Sequence, residues 1–187
     1  MGKHQPATDF SLPGVIGGDA GRVNVGSRIG ECVVVLVFYP SNFGPQNGRS
    51  ATVLRTVEGL VEGTDRYAVG IAPESVHSHE QFAPEAGIDL PLASDMDATV
   101  ADTYGVVTTH ESGQRLPELS LFVLDYRGVV VEEWRASGPA DMPDFQRLRS
   151  RLRTMTPDRS ARGCYRIGYA RYREGRWHLS SGLAQAE

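Results

Sequence analysis

Side chains able to do covalent chemistry are scarce in this chain. Cysteine occurs twice, at Cys32 and Cys164, and a thiolate is the reacting species in disulfide exchange and peroxide reduction. Cys164 stands between Arg162 and Arg166, whose charges lower a thiol's pKa, which makes it the candidate redox thiol. Its plainer reading is a spectator. Cys32 opens an apolar run and reads as a small buried hydrophobe. Two cysteines make no disulfide framework; a Cys32–Cys164 bridge stays open, with an intracellular setting against it. His77, His79 and Glu80 sit together. A His-x-His pair at a helix start holds its rings on different sides, and no further ligand has recognisable spacing. His4, His110 and His178 are isolated and support no Ser/His/Asp or Cys/His arrangement. Gly17-Gly18 and Gly26 form no phosphate-cradling motif. No cofactor and no metal is implied.

The elements that would position such groups are clearer. Residues 33–39, VVVLVFY, have the length and β-branched content of a buried central strand. The chain then crosses the Pro40–Pro45 loop and enters a helix over 47–62, with Val53, Leu54, Val57, Leu60 and Val61 on its apolar side. The first turn of a helix following a strand and a Pro loop lowers the pKa of a thiol placed there, yet this loop contains no cysteine. Asn47, at the entry, reads as the helix N-cap; its alternative role is a hydrogen-bonding group for a bound ligand. Further along, 67–71 is a strand and 76–86 a helix capped by Ser75 or Ser78. A short helix follows over 98–104, then a hairpin of 120–124 with 129–134 across Asp125-Tyr126-Arg127-Gly128. Asp141 can cap a last helix carrying Phe145, Leu148, Leu152 and Met155 on one face. Alternating β and α elements ending in a hairpin predict a mixed central sheet with helices on both faces.

The segment around Asn47 resembles the active-site region of the peroxiredoxins, the alkyl hydroperoxide reductase and thiol-specific antioxidant family. Their apolar strand runs into F-Y-P and then P-x-x-x-T-x-x-C. Here Phe38-Tyr39-Pro40 matches, Gly44 stands for the Thr and Asn47 for the peroxidatic Cys. Ala7–Pro13, Val69–Ala72 with Ser78–Ala83, Pro91–Asp95 with Tyr104–Val106, and Leu121–Asp125 with Gly128 are similar, in order, to further family motifs. The resemblance covers roughly residues 5–155. It implies a thioredoxin-like fold and a thiol-dependent peroxide-reducing activity. It also implies an Arg before the 121–125 strand to stabilise the thiolate. Leu119 holds that position, with Arg115 the nearest arginine, and Thr52 holds the place of one type of resolving Cys. Of the family's Pro, Thr, Cys and Arg only Pro40 remains. An amide is neither nucleophilic nor redox-active, so the scaffold is present without its chemistry.

Charge is unevenly placed. Residues 1–146 carry a balance of −11 and residues 147–187 one of +7, the latter from ten Arg and three acids. The division read here is a redoxin domain over 1–156 and an Arg/aromatic extension over 157–187. In that extension Tyr165, Tyr169, Tyr172, Arg176, Leu179 and Leu183 step as one helical stripe, although Gly168, Gly175 and Gly182 count against it. The simpler account lays the basic extension on the acidic domain, within a subunit or across a homodimer, and sets nucleic acid aside. No run spans a bilayer, and the first ten residues lack a signal-like apolar stretch, so a cytoplasmic protein is expected. Three functions remain open: a peroxidase-inactive scaffold or subunit acting by binding, a thiol oxidoreductase using Cys164 with a thiol-redox protein partner, and a binding module using the basic aromatic tail.

Overall fold

The computed structural model describes residues 4–45, 47–109 and 113–155, and the backbone of 170–173 and 176–179. In chain order the elements are β1 (Ser11–Ile16), β2 (Asp19–Asn24), a 3-10 turn (Gly26–Arg28), β3 (Val33–Phe38), α1 (Asn47–Val61), β4 (Arg66–Ala72), α2 (Val76–Ala86) and β5 (Leu92–Ser94). There follow α3 (Thr99–Thr103), β6 (Val107–Thr109), β7 (Arg115–Pro117), β8 (Ser120–Leu124), β9 (Val130–Arg135), α4 (Phe145–Thr154), β10 (Ala170–Arg173) and β11 (Arg176–Leu179). Seven strands form one mixed sheet in the order β2-β1-β5-β4-β3-β8-β9. β3, β4 and β5 are parallel, and β1 and β8 flank them antiparallel. β6 and β7 form a separate ribbon.

Every residue of β3 is buried, as an apolar run covered on both sides requires. Because side chains alternate, Val33, Val35 and Val37 enter a core shared with α1, α2 and α4, while Val34, Leu36 and Phe38 enter one shared with α3 and the amino-terminal strands. Phe38, Tyr104 and Phe122 pack ring against ring in the second core, with centroids 5.0–5.8 Å apart. The mixed sheet and two-sided helical cover match the thioredoxin-like architecture expected from the sequence. No helix among the described residues is long and apolar enough to cross a membrane.

Two local expectations need correction. α4 is capped by Asp144, whose carboxylate accepts from the Arg147 N–H at 2.9 Å, and not by Asp141. Pro143 disfavours helical backbone at Met142, so the helix starts only after the proline. Asp141 instead accepts from the Ser137 amide at 2.8 Å and from its hydroxyl, bonds that hold its carboxyl below the usual range. Residues 170–173 and 176–179 pair as an antiparallel hairpin rather than continuing a helix. Alternation about Glu174-Gly175, a Gly-containing two-residue link, wins over the three-and-four stripe there.

β1 lies so close to β5 that a Cβ on Gly14 would sit 2.2 Å from the Leu92 carbonyl oxygen and 2.9 Å from Val23 Cγ2. Gly21, opposite it in register, meets nothing nearer than Ile16 Cδ1 at 3.8 Å. Urea unfolding of Gly14→Ala is expected to show a loss of about 2–3 kcal/mol, the scale of overpacking. Gly21→Ala is expected to be neutral or mildly stabilising. Equal midpoints for the two variants would refute this reading of the β1–β5 contact.

Candidate functional site

Parallel strands leave their carboxyl ends at one edge of the sheet, and the loop after β3 emerges there. Tyr39 continues the pairing with β4 through its N–H to the Ile71 carbonyl, 3.0 Å. Its ring is wholly buried, stacked on Phe82 at 6.2 Å. Pro40 turns the chain away from the sheet, and Asn42 then folds back under the loop with no exposure at all.

Burying an amide demands partners, and Asn42 has them. Its Oδ1 accepts from the Tyr39 hydroxyl at 2.9 Å; its Nδ2 donates to Ser78 Oγ at 2.8 Å and lies 3.1 Å from His79 Nδ1. The His79 Nε2 faces the Ala93 carbonyl at 3.2 Å. A carbonyl only accepts, so the proton sits on Nε2 and Nδ1 receives the Asn42 bond. Glu74 closes the cluster: one carboxylate oxygen accepts from the Asn42 N–H at 3.0 Å, the other from Ser78 Oγ at 2.8 Å. Burial lowers the His79 pKa to about 4, against the opposing pull of the Ala93 bond and the Glu74 charge. Burial also pushes the Tyr39 hydroxyl well up, with Glu74 adding to it. Both groups are neutral at pH 7.

Above this cluster the loop faces outward. Phe43 is 44% exposed, its ring edge-on to Phe82 at 6.0 Å. Gly44 has φ 116°, a conformation a β-branched residue avoids, so the Thr that the resemblance puts at this position does not suit this backbone. Asn47 is the first residue of α1, its N–H bonded to the Gly44 carbonyl at 3.2 Å. Asn47 thus stands at the start of α1, and the residue before it lies outside the described residues. Thr52 lies further along α1, exposed, its hydroxyl bonded to the Gly48 carbonyl at 2.7 Å.

No arginine from β8 reaches the loop. Ser120 pairs with Phe38, so Leu119 is level with Tyr39, beside the loop, and it is buried. Arg115 is engaged elsewhere, 2.7 Å from Asp102 on the surface. The arginine closest in sequence to Asn47 is Arg49, whose Nη2 donates to the Asp141 carbonyl and ties the first turn of α1 to the segment before α4. Sequence reasoning passed over Arg49, Asn42 and Glu74; Ser78-His79, quoted there for its likeness, turns out to be half of the buried cluster.

Among the described residues the remaining candidates do not converge on the loop. Cys32 is fully buried in the second core at the opposite end of β3, as expected, and is disulfide-bonded. Six strand residues, roughly 20 Å, separate it from the loop. Cys164 and His110 lie outside the described residues. His77 is exposed and 3.4 Å from Glu80, whereas His79 points into the core, so the two do not face a common point. Among the described residues no group of three or more His, Cys, Asp or Glu is placed to hold a metal.

Residues 4–133 match the profile of the AhpC/TSA family. Among curated relatives, a putative peroxiredoxin bcp of Coxiella burnetii is 31% identical over 104 residues, covering 54% of this chain and 69% of its own length. Peroxiredoxin Bcp of Xanthomonas campestris is 27% identical over 142 residues, covering 73% and 88%. Among solved structures, peroxidoxin BcpB from Mycobacterium tuberculosis superposes with a TM-score of 0.69 at 25% identity, over 83% of this chain and 99% of that one.

The His79 environment fixes a pH dependence. Its folded pKa, about 4, lies below the ordinary value near 6.5, so the unfolded chain takes up the proton first as pH falls. Stability contributed by this group is complete above pH ~6.5 and declines toward pH ~4, by up to about 1.4 kcal/mol per unit. Below that the decline from this group ends. Urea titrations between pH 7 and 4.5 check it, with His79→Gln expected to flatten the profile. A wild-type profile already flat across that window would show that His79 is not held neutral.

Proposed function

This chain belongs to the AhpC/TSA family, and from that premise we propose that it uses the peroxiredoxin scaffold for binding, as a subunit or scaffold protein, without reducing peroxide by the family's cysteine mechanism. By resemblance the family activity is thiol-dependent reduction of peroxides: a thiolate attacks the O–O bond, becomes a sulfenic acid and releases water or an alcohol. The carrying observation is Asn47 at the head of α1, where the resemblance puts the thiolate. Three features support it. Gly44 holds a backbone unsuited to Thr, Leu119 is apolar beside the loop, and Cys32 is bonded at the far end of β3. The rigid Tyr39–Asn42–Ser78–His79 cluster presents the loop and the exposed Phe43 as a preformed surface, which suits recognition more than turnover. The homodimer implied by the resemblance is part of the same proposal.

Intact-mass spectrometry of the reduced protein, pulsed with near-stoichiometric hydrogen peroxide, tests this. Both thiols are expected to oxidise no faster than an ordinary free cysteine. Conversion of one thiol within seconds, mapped to Cys164, would overturn the reading in favour of a relocated thiol oxidoreductase. As a converse test, Asn47→Cys is expected to create a thiol with a pKa below ~8.5, because the α1 N-terminus favours the thiolate. The pH dependence of its alkylation rate reports that value. A pKa at or above the ordinary one would mean that the loop no longer has an activating geometry.

A further inference from the structure

Part of the carboxyl-terminal charge excess can be followed onto α4. α4, FQRLRSRLRT, contains four arginines and no acid, and Arg147, Arg149, Arg151 and Arg153 are all exposed. Leu148 and Leu152 bury the helix against the sheet. At 3.6 residues per turn, Arg147 and Arg151 then flank one side of that buried stripe and Arg149 and Arg153 the other. The sequence-based account has acidic groups of the domain absorb this charge. Only Arg147 behaves so, 2.7 Å from Glu132; Arg149, Arg151 and Arg153 engage no carboxylate among the described residues.

We propose that the exposed arginines of α4 bind the phosphate backbone of nucleic acid without regard to sequence. The nature of the surface selects this partner. The exposed positions between the α4 arginines are Gln146, Ser150 and Thr154, so there is no apolar anchor of the kind that inserts into a lipid surface. Nor is there an aromatic or aliphatic centre around which a protein interface closes. A surface that offers charge alone gains most from a dense, regular polyanion, where each neutralised phosphate releases condensed counterions. Guanidinium groups also meet phosphate oxygens in pairs. The inference is independent of the Asn47 loop and of the function proposed for it.

The test is fluorescence anisotropy of the full-length protein with a labelled oligonucleotide of mixed sequence, single- and double-stranded, from about 20 to 200 mM NaCl. Saturable binding that weakens steeply with salt is expected. R149Q/R151Q/R153Q is expected to bind at least tenfold more weakly at low salt, with a log–log salt slope lower by about 2–3, since each lost phosphate contact removes about 0.7–0.9. R149K/R151K/R153K keeps the charge and is expected to bind within a fewfold of wild type. Absence of saturable binding at low salt would overturn the proposal. So would affinity unchanged in R149Q/R151Q/R153Q, or binding to anionic vesicles with none to the oligonucleotide.

Discussion

A side-chain amide buried without partners costs on the order of 1–3 kcal/mol for each unmet group, and Asn42 is buried completely. Its three side-chain bonds therefore constrain everything around them. The Tyr39 hydroxyl must point back toward the loop, Ser78 must present its oxygen from the first turn of α2, and His79 must keep an unprotonated Nδ1. Glu74 then bridges the loop backbone to α2. A loop that sequence alone describes as Ser, Asn, Gly and Pro is in this way fixed to two strands and a helix. The entry of α1 at Asn47 follows from that fixation.

The same cluster explains why an ionisable residue is tolerated in the core. His79 sits among Tyr39, Asn42 and a backbone carbonyl, none of which carries a charge, and the one nearby anion is the half-buried Glu74. Desolvation outweighs that anion, so the ring stays neutral. A protonated ring would lose the acceptor that Asn42 needs. Hydrogen bonding and proton affinity are thus mutually enforcing, and the cluster works as a structural lock at neutral pH.

Much of this fold was legible because its decisive strands are long and apolar. β3, β4 and β8 announce themselves by β-branched runs, and α1, α2 and α4 by their periodic faces. β1 and β2 were missed for the opposite reason. β2 is exposed at all but one position, so its pairing is set by a two-glycine turn and by the close approach at Gly14 instead of by a hydrophobic pattern. The carboxyl-terminal hairpin misled the reading because Tyr172, Arg176 and Leu179 satisfy helical spacing as well as strand alternation. At the site, Pro40, Gly44 and Asn47 could be placed from the chain alone. Asn42 could not, because its partners Glu74, Ser78 and His79 lie 32–37 residues away and no local pattern signals a buried amide.

The departures from the family motif form a physically consistent set. In the arrangement that the resemblance implies, a guanidinium and a thiolate offset each other's charge beside the loop. Take away the thiolate and the guanidinium becomes a cation with no counter-charge at a position that here is 3% exposed, a situation that costs several kcal/mol. A leucine at 119 removes that penalty and adds packing to the α1 side of the sheet, where it sits among Val37, Tyr39 and Leu121. Gly44, freed from presenting a hydroxyl, takes a left-handed backbone closed to Thr. Asn47 leaves a neutral, polar group at a helix start, where a residue of its type is well accommodated. On this reading the loop has settled into an uncharged state, and a single cysteine returned to it would regain the helix N-terminus that favours a thiolate but no guanidinium beside it to hold a peroxide.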